Sequence, residues 1–164
     1  MRHVWLERKQ AKQVAPKVAK FCFAGKHASG VFMLLDIINK AGKLRWWLEK
    51  CKIGNYTVKE KCIRELVKID VHTCTVENLE KIPGFGPKTA RFFILHSRPN
   101  QKVACLDTHI LKWLKEKGHD VPKASPQNPK TYARVENLFL DECEKCGKTP
   151  AQLDLEVWKS KARL

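Results

Sequence analysis

Residues 79–90 read Leu-Glu-Lys-Ile-Pro-Gly-Phe-Gly-Pro-Lys-Thr-Ala, and two helices meet inside them. Pro83 and Gly84 close the first, because proline cannot continue a helix and glycine accepts a left-handed backbone. Pro87 opens the second: its missing N–H falls where a helix has no use for one, and its fixed φ suits a first turn. Two helices joined this tightly form a helix-hairpin-helix by turn chemistry alone. Gly84 and Gly86 can both adopt positive φ, and without a Cβ they let an anion approach the backbone amides. The start of the second helix adds N–H groups without intrahelical partners and a partial positive charge. Lys81, Lys88 and Arg91 around it would strengthen the attraction for a phosphate, with Phe85 tucked between the two helices at the tip.

Away from the hairpin, apolar residues recur at helical spacing and alternating β-branched runs are absent, so the fold class is all-α. The spacing predicts helices over 3–13, from Pro16 to Ala24, from Ser29 to Ala41 and around Leu44–Cys51. The run GVFMLLDIIN is apolar on most faces and is expected at the centre of the fold. Thr57 and Glu60 have the spacing of a capping box, and Thr75 caps the short helix that leads into the hairpin. Beyond Ser97 a loop and an extended apolar stretch, Val103–Leu106, lead to Asp107, the expected cap of a helix ending near Gly118. Pro122, Pro126 and Pro129 mark an ordered connector. Helices over about 130–146 and 150–160 follow, the last opened by a second capping box at Thr149 and Gln152.

The chain has 164 residues, 43% of them hydrophobic, enough for a real core, and 32 Lys plus Arg against 17 Asp plus Glu give a net charge of +15. Such a field gathers polyanions, which makes nucleic acid the leading partner over a merely solvated lysine-rich surface. No stretch approaches about 18 consecutive apolar residues, so no membrane partner is expected. The basic start MRHVWLERKQ is unlike a signal peptide, and seven irregularly spaced cysteines do not form a secreted disulfide framework. These features imply a soluble intracellular protein with reduced thiols.

Two residues point to chemistry beyond binding. Lys88, on the first turn after the hairpin, could be an ordinary phosphate contact, or it could be an amine nucleophile facing a reactive sugar carbon. Asp107 lies 19 residues later at the head of a helix. Alone it is a helix cap, but a carboxylate fixed there can also stabilise positive charge on a sugar. The pairing favours the catalytic reading.

Together, LEKIPGFGPKTA and CLDTHILKWL resemble the signature of the helix-hairpin-helix (HhH-GPD) DNA glycosylases, the superfamily of endonuclease III and the 8-oxoguanine glycosylases. The resemblance spans about residues 76–115. It implies that Lys88 attacks C1′ of a flipped-out nucleotide while Asp107 assists. The ending TPAQLDLEVWKSKARL is similar to the last helix of the compact 8-oxoguanine glycosylase/AP lyase branch, which gives Trp158 a claim on the base pocket. That branch ends in a lysine, where this chain has Leu164. The implied architecture is one unit of two lobes, about 25–118 with the hairpin at 76–97, and about 1–24 with 119–164. The implied partner is double-stranded DNA with a damaged base, bound by a monomer in the cytoplasm, associated with the nucleoid, or in the nucleus.

Endonuclease III has four clustered cysteines that hold an iron-sulfur cluster; here only Cys143 and Cys146 lie near the carboxyl end, so no cluster and no other metal cofactor is expected. The resemblance leaves room for a monovalent cation at the hairpin. His27, in the turn before the apolar run, is a second base-pocket candidate, although a solvated turn accounts for it equally. Trp46, Trp47, Phe92 and Phe93 fit helix packing better than base stacking. Two rival functions remain: a glycosylase for an oxidised pyrimidine or a mismatched thymine or uracil, and a DNA-binding module without catalysis.

Overall fold

The computed structural model describes residues 28–162, and every regular element among them is an α-helix. In chain order these are α1 (Ala28–Lys40), α2 (Leu44–Lys50), α3 (Tyr56–Leu66), α4 (Val76–Glu80), α5 (Pro87–Ser97), α6 (Thr108–Glu116), α7 (Pro129–Cys146) and α8 (Pro150–Ala162). The helices expected over 3–13 and from Pro16 to Ala24, and His27, lie outside the described residues. Among the described residues, no helix is long and apolar enough to cross a membrane.

Packing groups the chain into two units. One runs up to Thr73 and takes in Ile82–Gly84; the other is Cys74–Lys81 with everything from Phe85 onward. In the first, α1, α2 and α3 pack against one another, with Leu44 and Leu48 buried on α2. The apolar run on α1 is not the buried centre that its composition suggests: Met33 and Ile37, one turn apart, are more than half exposed. Among the described residues its helical partners in this unit are α2 and α3, which leave Met33 and Ile37 uncovered.

The capping box expected at Thr57 and Glu60 is not formed. Helix α3 starts at Tyr56 after Asn55, which adopts a left-handed backbone and makes no side-chain cap. Thr57 therefore falls inside the first turn, where its hydroxyl accepts from Arg45 Nη1 at 3.1 Å, and Glu60 pairs with Arg64 instead. The other two caps form as read. Thr75 accepts from Asn78 N while the Asn78 side chain accepts from Thr75 N, and Thr149 and Gln152 make the same reciprocal pair.

The second unit is built on a core that includes Leu106, Ile110, Leu114, Val135, Phe139, Leu153 and Val157, from α6, α7, α8 and the segment before α6. Each large aliphatic or aromatic side chain buried there contributes about 1.5–3 kcal/mol. Helix α7 presents Tyr132, Val135, Phe139 and Cys143 on one buried stripe, the period of a helix with one face in a core. Gly147 ends it in a left-handed conformation, with Lys148 N donating to Cys143 O at 3.0 Å.

Residues 103–106 form no helix, yet Ala104, Cys105 and Leu106 are buried, so their backbone polar groups need partners from elsewhere. Tyr132 supplies two: its hydroxyl donates to Ala104 O at 2.9 Å and accepts from Leu106 N at 3.1 Å. Tyr132→Phe leaves both groups unsatisfied in the core, so it should lower stability by about 1–3 kcal/mol with little change in packing. Urea unfolding of the two proteins reads this as a lower midpoint at unchanged slope.

Candidate active site

The hairpin joins α4 to α5, which pack against each other. Gly84 has φ of +92°, and a Cβ there would stand 3.0 Å from Val58 Cγ1, so both backbone and neighbour require glycine. Gly86 departs from the expectation of positive φ: it is extended, with φ −88° and ψ 174°, as the N-cap of α5. The following proline explains this, since it holds the preceding residue in the extended region. Having no side chain, Gly86 leaves α5 without a side-chain cap. Phe85 is half-buried, and Lys81 is exposed at the end of α4.

Lys88 is the second residue of α5 and is half-buried. Asp107 is buried at 7% exposure and caps α6, its Oδ1 accepting from His109 N at 2.8 Å and Ile110 N at 2.9 Å. Burial pushes the pKa of the Cys105 thiol up, the Asp154 and Asp107 carboxylates push it further, and Lys88 opposes them. One amine and two carboxylates thus act on a single buried sulfur. Asp154, on α8, is itself buried and accepts at Oδ2 from His96 Nε2, 2.9 Å away on α5.

A bracket on α7 holds the two halves of this arrangement in register. Glu136 Oε1 accepts from Ala104 N at 2.7 Å and from Arg91 Nε at 3.0 Å, which ties the approach to Asp107 to the helix that carries Lys88. Arg91 also donates to Glu80 at 2.7 Å and lies 4.2 Å over the Tyr132 ring. Its guanidinium is engaged within the protein. Burial works against the Arg91 charge, but Glu136 and Glu80 outweigh it and raise its pKa. Burial raises the Glu136 pKa despite the Ala104 N–H and Arg91.

Neither Glu136 nor Tyr132 was singled out from the sequence, although one signal was there: a glutamate and a tyrosine on the apolar stripe of α7, one turn apart. His96 and Asp154 were also missed as a pair. Phe92 and Trp46, expected in packing, are instead exposed, at 39% and 53%. Phe92 touches the His96 ring, with centroids 4.9 Å apart, and falls one turn after Lys88 on α5. Trp158, one turn after Asp154 on α8, is half exposed. Cys143 is buried and Cys146 exposed, both as free thiols. Burial, then Cys146 and Asp154, push the Cys143 thiol up to about 12. Among the described residues, no group of three or more His, Cys, Asp or Glu is placed to hold a metal ion.

Over 98 residues the chain is 31% identical to an 8-oxoguanine DNA glycosylase/AP lyase of Thermotoga sp. (strain RQ2), covering 58% of this chain and 46% of that protein. Proteins of the same name from Thermotoga maritima and Thermotoga neapolitana are 30% identical over the same extent. The chain therefore spans about half the length of the curated relatives it matches. No family model matches it, and no solved structure matches it significantly.

Proposed function

We propose that this chain carries the catalytic unit of a DNA base-excision glycosylase with AP lyase activity, acting on an oxidised base, with 8-oxoguanine the first choice. What supports the reading is that Lys88, on the helix after the hairpin, and Asp107, at the head of α6, both influence the charge balance at the Cys105 thiol, in a chain of net charge +15. The similarity to proteins named 8-oxoguanine DNA glycosylase/AP lyase supports it from a separate direction. Lobe boundaries near 24/25 and 118/119 belong to the same reading.

In this mechanism the basic surface binds the duplex, and the amides at the start of α5 take a backbone phosphate without reading sequence. The damaged nucleotide leaves the stack at a cost of a few kcal/mol, least where damage has weakened pairing. The Lys88 amine attacks C1′; the glycosidic bond breaks, and its electron pair departs with the base, which takes up a proton. Asp107 stabilises the positive charge that develops on the sugar. The sugar ring opens to a Schiff base on Lys88, and loss of a C2′ proton expels the 3′ phosphate by β-elimination. The strand is nicked 3′ to the lesion.

Borohydride trapping tests this. Incubation with duplex containing 8-oxoguanine opposite cytosine, or an abasic site, should give a covalent protein–DNA adduct on reduction. Absence of adduct with both substrates would leave a DNA-binding module, whereas adduct with the abasic duplex and a pyrimidine lesion only would move the activity to another base.

A further inference from the structure

Glu136 is a carboxylate on a helix that otherwise turns apolar side chains inward at that level. Helix α7 buries Tyr132, Val135 and Phe139, and the Glu136 side chain beside them is 13% exposed. Taking a carboxylate out of water is costly unless donors compensate it. A neutral amide could serve one backbone N–H as well. What the carboxylate adds is a cationic partner from a second element, through a charge-assisted bond stronger than a neutral one.

The two donors stand symmetrically about the two residues of the proposed chemistry. Arg91 comes three residues after Lys88, and Ala104 three before Asp107. Both bonds end on the same oxygen, Glu136 Oε1, at 3.0 Å from Arg91 Nε and 2.7 Å from Ala104 N. On α5 the same guanidinium donates from Nη1 to Pro87 O at 3.3 Å and to Glu80 at 2.7 Å. The turn that bears Lys88 is therefore held at both of its ends. On the other side, Tyr132 holds Ala104 O and Leu106 N. Two side chains of α7 thus fix three backbone groups of the irregular stretch that delivers Asp107. Attack on a sugar carbon needs the reacting atoms held at about 3–3.5 Å, and a misplacement of about 1 Å can cost a hundredfold in rate.

We propose that Glu136 and Arg91 are positioning residues for the covalent step: their shared bridge sets the placement of Lys88 relative to Asp107, and breaking it slows reaction without weakening DNA binding. This rests on the glycosylase reading above. Neither residue touches a reacting atom in this scheme. Arg91, expected at a phosphate, has its donors turned to Glu136, Glu80 and Pro87 O instead.

Single-turnover borohydride trapping on an abasic duplex, at saturating protein, reads the covalent step, and a gel-shift titration on the same duplex reads binding. Glu136→Gln keeps an acceptor for Ala104 N but loses the charge that holds Arg91. Arg91→Lys keeps a charge but not the fork that reaches Glu136, Glu80 and Pro87 O together. Each variant, shown to be folded at the assay temperature by circular dichroism, should trap about tenfold more slowly or worse with affinity changed by less than about twofold. The double variant should be no slower than the slower single one, because both substitutions break one bridge. If one variant does not fold, the other carries the comparison of rate with affinity. Folded variants that trap at the unaltered rate would reduce the pair to a stabilising contact and overturn the proposal. So would losses of affinity as large as the losses of rate, or losses that multiply in the double variant. Each of these leaves the glycosylase reading intact, since the unaltered protein still traps. An unaltered protein that gives no adduct would overturn both.

Discussion

Lys88→Gln will give no trapped adduct on any lesion duplex, while the variant still binds DNA. Glutamine keeps much of the side-chain length and a donor but has no amine to form the Schiff base, so the lyase step is lost outright. If Lys88 also contacts a phosphate, its loss removes about one unit from the salt slope of binding and a modest part of the affinity. The two effects differ enough in size to be told apart: trapping falls below detection, whereas a gel-shift titration moves slightly. A binding module would give the same small shift in affinity with no adduct from the unaltered protein either.

Asp107→Asn should slow base release by about a hundredfold or more, the size expected when a charge poised to stabilise a transition state is removed. The fold should hardly notice, because asparagine caps a helix as well as aspartate. The backbone N–H groups of His109 and Ile110 would still find an acceptor. Asp107→Ala removes charge and cap together and should cost about 1 kcal/mol of stability in addition. Single-turnover excision and urea unfolding on both variants separate the two roles. A rate for Asp107→Asn close to that of the unaltered protein would confine this residue to capping.

The parts of this arrangement that are legible in the sequence are coded locally. Proline and glycine mark the hairpin through their own backbone restrictions, and Asp107 caps its helix through N–H groups no more than three residues away, so both can be read from a few neighbours. What holds Lys88 and Asp107 in register is not coded that way. Glu136 reaches Ala104 across 32 residues and Arg91 across 45, and His96 meets Asp154 across 58. No local pattern specifies such pairs; only an unexpected polar residue on an apolar helix face hints at them. Local patterns can also mislead. Thr57 and Glu60 have the right spacing for a cap, but the turn at Asn55 starts the helix two residues too early for them. Gly86 is suited to a left-handed turn by composition, yet the proline after it requires an extended one.

The central claim is that one particular amine makes the covalent bond, and peptide mapping of the borohydride-reduced complex tests it most directly. After nuclease and protease digestion, mass spectrometry should find the reduced sugar remnant on the peptide containing Lys88 and nowhere else. A remnant on Lys81, on another lysine or on the terminal amine would contradict the account, even if the protein excises the lesion.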